Sequence, residues 1–414
     1  MLDLCQWVRK IKCTIFRITF SDLQQTIEML NRKLRMGMIG GGKDAFIGAI
    51  HRLAFNLDGL VELRAGALSI DPAIAIESGK QLFLEEERIY TDYRVMLERE
   101  ATLPPDKRID FVSIVTPNFV HFDPAMRALD KGFNVVIEKP ITFSLEEAIK
   151  LKAKEEETGL SLLLCHTYTG YPMVKQAKQM LKENMLGEIR KVYVEYPQGW
   201  LSTSLETSGN PQASWRTDPK RSGKAGAMGD IGTHAFNLAE YVTGLKIVKL
   251  CADINSIVPG RQLDDDGVVL LNFENGASGV LMATQVAAGE ENNIKIRVYG
   301  EKGGLEWEQN NANTLLVKWL DKPGEIYRTG AGYVSSYASH NTRTPAGHPE
   351  GYIEAFANLY RNFALTLRAK LGGENPKAEW LDFPGVEEGV RGMMFIEKVI
   401  ESTRSDKKWI KFKE

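Results

Sequence analysis

The chain reads as an α/β protein in two parts: a doubly wound parallel sheet, then a second α/β unit whose strands pair antiparallel. Three observations predict this. From Leu34 to about residue 168 short apolar strands alternate with helical stretches, the order that builds a parallel sheet with helices on both faces. After about residue 245 the pattern becomes strands joined by tight turns, with Asn275-Gly276 as the strongest hairpin signal. Two long helical segments, 347–370 and 385–403, close the chain. The expected division is an N-terminal extension over 1–33, a first domain over 34–160 and a second over 161–414, with the terminal helices able to pack back on the first.

Within the first domain LRMGMIG is a short apolar strand, followed by a glycine-rich turn and the helical GAIHRLAFNL. VELRAGALS is the second strand. DPAIAIESGKQL is a helix with Asp71 as its N-cap and Pro72 suited to its first turn. FVSIVT (111–116) is continuously apolar, as a strand buried on both faces must be. A helix near FDPAMRALDKG, the strand NVVIEKP and the helix SLEEAIKLKAKEEETG follow, the last with a Ser144/Glu147 capping box. SLLLCHTY (161–168) closes the series. In the second half GVVLLNF and ASGVLMATQVA form the hairpin, IKIRVYG and GLEWEQ flank the turn EKGG, and TLLVKWL continues the meander.

Composition excludes several classes. The chain has 414 residues, a formal net charge of -2 and 43% hydrophobic residues, so it carries no basic footprint for nucleic acid. No apolar run is long enough to span a bilayer. Its cysteines (Cys5, Cys13, Cys165, Cys251) lack paired spacing, arguing against a zinc site or disulfide framework and for a reducing cytoplasm. The first 35 residues are rich in Arg and Lys, but Arg17 interrupts their only apolar run, so a signal peptide is a poor fit. Within them SDLQQTIEML is a short helix candidate capped by Ser21.

IGGGKDAFIGAIHR follows a strand and opens a helix, the context a dinucleotide fingerprint requires. Gly40 permits the tight turn, Gly42 lets backbone amides approach a pyrophosphate, and the helix N-terminus at Ala45, Phe46 and Ile47 supplies partial positive charge. The third small residue is either Ala45 or, past an insertion, Gly48. No acid ends the second strand to hold a ribose 2′-OH. Ser69 stands there instead, which leaves both NAD and NADP open.

Downstream, Lys139 ends an apolar strand, held between Glu138 and Pro140. Open parallel sheets bind ligands at that edge, where a lysine can stabilise alkoxide character; a solvated strand-end lysine is the plain alternative. Asp230 and His234 lie four apart, so on a helix they share a face, and the carboxylate can fix the imidazole tautomer or bind a hydroxyl. Without a third ligand nearby, the pair does not point to a metal. His166 and Tyr168 end the last strand of the first series. The long segment 196–224 has little periodicity and carries Trp200, Trp215 and Arg216, suited to stacking on sugar rings and donating to hydroxyls. His51 reads as structural. His340 and His348 sit in a loop-rich stretch, as flap or as surface. Asp264 to Asp266 read as a polar lead into a strand.

SIVTPNFVH, VIEKP, GDIGTHAFNLAEYVTG and RVYGEKGGLEW, in that order after the glycine turn, resemble the Gfo/Idh/MocA oxidoreductases over about residues 34 to 400. The resemblance implies a Rossmann domain, a second domain with a large open, mostly antiparallel sheet, a nicotinamide cofactor, and sugars or cyclitols as substrates. It places catalytic roles on Lys139, Asp230 and His234. It puts Thr116, Pro117, Asn118, His121, Glu138 and Lys139 beside the cofactor. His166, Tyr168, Trp200, Trp215 and Arg216 then join Lys139, Asp230 and His234 on the substrate. The expected reaction is oxidation of a secondary ring hydroxyl of a sugar, glycoside or inositol by NAD, with NADP possible, in a cytoplasmic dimer or tetramer. The alternatives are a glycoside-modifying enzyme that uses NAD transiently at C3, and a non-catalytic NAD(H)-binding sensor.

Overall fold

The computed structural model describes residues 32–43 and 45–412; the Ser21 helix candidate lies outside them. The first unit runs β1 (Leu34–Gly40), α1 (Phe46–Asn56), β2 (Val61–Ala67), α2 (Pro72–Gln81), α3 (Tyr93–Thr102), β3 (Phe111–Val115), α4 (Phe122–Asp130), β4 (Asn134–Ile137), α5 (Leu145–Thr158) and β5 (Leu162–Leu164). All five strands are parallel, in the order β2-β1-β3-β4-β5. Every residue of β3 is buried, as its uninterrupted apolar run requires. Asp71 accepts from the amides of Ala73 and Ile74, and the Ser144/Glu147 capping box is formed. β5 pairs with β4 in this sheet, so the unit extends past residue 160. The helix α3 gave no sequence signal, because YRVMLEREAT is mostly polar and buries only Met96, Leu97 and Glu100.

The second unit continues with α6 (Pro172–Lys182), β6 (Ile189–Pro197), α7 (Pro211–Arg216), α8 (Pro219–Ser222), a π-helical turn (Met228–Gly232), α9 (Thr233–Thr243) and β7 (Ile247–Asn255). Then come β8 (Asp266–Phe273), β9 (Ser278–Thr284), β10 (Lys295–Gly300), β11 (Gly303–Glu308), β12 (Thr314–Trp319), β13 (Glu325–Arg328), α10 (Ser336–His340), α11 (Tyr352–Leu371), α12 (Val386–Arg404) and β14 (Trp409–Lys411). Nine strands form one sheet, β13-β12-β11-β10-β6-β9-β8-β7-β14. Its pairs are antiparallel except β6 with β9. The β8–β9 hairpin closes at Asn275-Gly276, with Gly276 at φ 90°.

The terminal helices do pack back. Phe356, Leu359, Tyr360 and Phe363 of α11 share a core with Leu34, Met36, Phe111 and Val115 of the parallel sheet. Arg343 adds a tie, its Nε donating to Asp58 Oδ1 at 2.9 Å. The carboxyl edge of the parallel sheet therefore faces the large sheet across one cleft. Among the described residues no helix is long and apolar enough to cross a membrane.

Candidate active site

The glycine turn is built by close approach. Gly40 and Gly41 have φ of 79° and 73°, a left-handed backbone that disfavours side chains. A Cβ on Gly48 would lie 2.4 Å from both Cα and O of Gly41. Gly48, not Ala45, is thus the third small residue, letting α1 sit against the turn. A Cβ on Gly42 would meet Leu68 O and Ser78 Oγ at 2.7 Å, so Gly42 serves the approach to β2. Ala45 is the N-cap of α1 and offers no side-chain cap, which leaves the first helical amides free for an anion. Ala45, Phe46 and Ile47 line a cleft of about 790 Å³. Gly40, Gly42 and Ser69 do not line it; the Ser69 hydroxyl accepts from Asp71 N at 3.1 Å.

Along the same edge, Thr116, Pro117, Asn118, Glu138, Lys139 and Pro140 project from the ends of β3 and β4. Thr116 Oγ1 and Asn118 Oδ1 are buried without hydrogen-bond partners. Buried polar atoms of this kind ask for a ligand, and together with the glycine turn and the bare helix N-terminus they fit a dinucleotide. His121 does not line the cleft. Its Nδ1 lies 2.8 Å from Pro140 O and its Nε2 2.9 Å from Thr116 O, so it ties the two strand ends together behind the wall. The Lys139-Pro140 peptide is cis.

Behind Lys139, Glu138 Oε1 meets His51 Nε2 at 2.9 Å and Oε2 accepts from Lys139 N at 3.0 Å. Burial pushes the Glu138 carboxyl up, but the hydrogen bond and charge of His51, with Lys139, outweigh it and hold Glu138 below the usual carboxylate range. His51 also contacts the Tyr360 hydroxyl through Nδ1 at 2.6 Å, a buried brace between α1 and α11.

Lys139 Nζ donates to Asp230 Oδ1 at 2.7 Å and to Asp230 O at 2.9 Å. Asp230 Oδ2 accepts from Arg216 Nε and Gln285 Nε2, each at 3.0 Å. Burial alone would raise the Asp230 carboxyl; Lys139 and Arg216 together hold it well below its ordinary range. Asp230 lies in the π-helical turn and His234 in the first turn of α9, and both line the cleft. Asp230 and His234 make no hydrogen bond, because three donors, Lys139, Arg216 and Gln285, already occupy the carboxylate. His234 Nδ1 instead faces His166 Nδ1 at 3.3 Å. Burial, then the Lys139 charge, pushes both imidazoles down, His166 to about 3. His166 itself sits behind His234 and does not line the cleft.

The segment 196–224 is more regular than its sequence predicts. It folds into a 3-10 turn (Leu205–Ser208), α7 and α8, with Asn210 and Asp218 as N-caps. These helices are too short for periodicity to register. Trp200, Trp215 and Arg216 all line the cleft, and the guanidinium lies 5.6 Å from the Trp200 ring and 4.3 Å from that of Trp215. Tyr168 also lines the cleft, its hydroxyl bonded to that of Tyr196. His340 meets Asn362 Oδ1 at 3.0 Å and His348 its own loop at Pro345 O; neither reaches the cleft. Asp264 and Asp265 staple loops by accepting from Gly226, Met228, Ile257 and Val258 amides.

Sequence reasoning missed a polar floor. Tyr196 OH donates to Asn292 Oδ1 at 2.8 Å, and Asn292 Nδ2 donates to Gln309 Oε1 at 3.0 Å and Tyr168 OH at 3.3 Å. Gln198 and Gln285 join it because β6 and β9 are the one parallel pair in the large sheet, so their carboxyl ends emerge side by side. The alternation of VYVEYPQ could have flagged Tyr196; Asn292 and Gln309, on separate turns, gave no signal.

The comparisons with known proteins agree with this geometry. Residues 34–167 match the model of an oxidoreductase family with an NAD-binding Rossmann fold, and residues 174–306 match the GFO/IDH/MocA C-terminal domain. An uncharacterized oxidoreductase of Bacillus subtilis is 31% identical over 93% of this chain and 98% of its own length. The chain belongs to the Gfo/Idh/MocA oxidoreductase family. It is an NAD-binding oxidoreductase on that ground. Similar proteins include an inositol dehydrogenase homologue of Azotobacter vinelandii solved with NAD+, 35% identical, covering 92% of this chain and 98% of that one, with a TM-score of 0.85. A levoglucosan dehydrogenase of Pseudarthrobacter phenanthrenivorans is 27% identical over 69% of this chain and 76% of its own.

Proposed function

We propose that this oxidoreductase oxidises a secondary ring hydroxyl of a sugar, glycoside or inositol, with Lys139, Asp230 and His234 handling the proton. The observation that carries this reading is the convergence of the three in one cleft, Lys139 beside the two unpartnered polar atoms of Thr116 and Asn118, and Asp230 and His234 from the second unit. Bound NAD supplies the hydride acceptor. Two of the three Lys139 ammonium protons are spent on Asp230, leaving one for the alcohol oxygen as charge develops on it. Asp230 stays ionised and holds the ammonium in place. His234, kept neutral by burial and by the nearby lysine, accepts the hydroxyl proton in oxidation and returns it in reduction.

A cyclic polyol is supported by the polar floor, by the indole walls of Trp200 and Trp215, and by two relatives. The Azotobacter homologue was solved with NADH and myo-inositol, and the Pseudarthrobacter relative is named for levoglucosan. Outward-facing Val268 and Leu270, beside Val280 and Met282, make an apolar strip on the large sheet that favours a dimer or tetramer. The test is NADH formation against a panel of sugars, glycosides and inositols. Lys139→Ala and His234→Ala should each lower kcat at least about a hundredfold; a parental rate in either variant sinks the assignment.

A further inference from the structure

The base assigned above needs a fixed tautomer, and Asp230 does not supply it. Both Asp230 oxygens are committed, Oδ1 to Lys139 and Oδ2 to Arg216 and Gln285. Among the described residues the His234 ring makes one hydrogen bond, Nδ1 to His166 Nδ1. The two rings meet edge to face, centroids 5.2 Å apart and 81° between planes. A neutral imidazole carries one N–H and one lone pair, so this pair bonds only if one ring donates and the other accepts.

We propose that His166 is the positioning residue that sets the tautomer of His234, its Nδ1 accepting the His234 Nδ1–H so that Nε2 of His234 is left bare for the substrate hydroxyl. This rests on the reading of His234 as the base. In the reverse arrangement His234 would carry its proton on Nε2 and have no lone pair to accept another. The groups facing the pair do not favour a second proton on either ring. Lys139 lies on the β4 side, and Glu138 and Asp230 are engaged in their own ion pairs. The Tyr168 and Tyr196 rings stand 5.0 and 6.3 Å from His234. Burial of both imidazoles works the same way. A neutral acceptor differs from a carboxylate in one respect: it orients the ring without stabilising an imidazolium, so the proton is not trapped on His234.

His166→Leu keeps the bulk and removes the acceptor. It should lower kcat for oxidation at least about tenfold, the scale of a lost orienting partner, with KM within about twofold. His166→Asn, whose Oδ1 can accept the same N–H, should recover most of the rate. Selective 15N labelling of the six histidines gives a readout independent of turnover, with the His234 signals identified by their loss in His234→Gln. In the parental protein at pH 7 His234 should be protonated on Nδ1 and bare on Nε2. A His234 protonated on Nε2, or a parental kcat in His166→Leu, overturns the inference. Should His166→Leu not fold, the parental spectrum decides. An active His234→Gln would instead refute the assignment of the base.

Discussion

The two lips of the cleft are made differently. On the parallel-sheet side the turn residues Gly40, Gly41, Gly42 and Gly48 matter for what they lack, and the ligand-facing groups are strand-end atoms and the free amides of α1. On the large-sheet side, the cleft is faced by bulky polar side chains, Tyr168, Tyr196, Gln198, Asn292 and Gln309, from widely separated segments. A backbone cradle needs consecutive residues with special φ or no Cβ, and leaves a contiguous motif. A floor of side chains needs only convergence in space, and leaves none. Lys139 and Asp230 join the two by an ion pair across the cleft.

The largest effect is expected on the glycine side. Gly48→Val would force branched carbons into the space where even a Cβ meets Gly41 backbone at 2.4 Å. Backbone cannot swing aside as a side chain can, so a loss of more than about 3 kcal/mol is expected. Urea unfolding and NAD titration measure it; a parental midpoint with unchanged NAD affinity would mean that the close approach carries no function.

Legibility followed the same divide. The parallel strands, both capping devices and the EKP and DxxxH residues were readable because each is local: a buried run, a cap spacing, a strand end. Helix α3 was not, since its stabilising contacts are tertiary. Chief among these is the buried Glu100, held by Arg88 at 2.6 Å. The partner of His234 was not legible for a related reason. Spacing along a helix puts Asp230 near it, but Lys139, Arg216 and Gln285 arrive from distant elements and claim the carboxylate first. Spacing does not choose between Ala45 and Gly48 as the third small residue of the glycine turn, because an insertion changes spacing and only packing identifies which residue touches the turn.

A second contrast concerns protons. His166 and His234 on the substrate side are both pushed down by burial. Each stays neutral in the folded chain at pH values where the unfolded chain, at about 6.5, already binds a proton. The unfolded state therefore holds more protons below pH 6.5, and stability falls as pH falls. The slope approaches about 1.4 kcal/mol per pH unit per histidine. For His166 the window closes near pH 3; above pH 7 the contribution is complete and the curve flat. Urea midpoints between pH 5 and 7 lie above the carboxylate range and isolate this effect. His166→Asn should remove one histidine's share, and an unchanged slope would show that ring protonated in the native protein.

The smallest expected effect is the most informative about the side-chain floor. Tyr196→Phe deletes one hydroxyl from a network that can largely close without it. Asn292 Oδ1 keeps its bond from Gln198, and Tyr168 OH keeps the one from Asn292 Nδ2. The loss should be about 1 kcal/mol, read as a KM increase of about three- to tenfold with kcat within about twofold. That split marks binding felt equally by the ground and transition states, which is what a floor that only recognises hydroxyls should give. A fall in kcat with KM unchanged would put the Tyr196 phenol among the groups that handle the proton. The line between a lip that does chemistry and a floor that only selects would then run through the large sheet itself, between Tyr196 and Asn292.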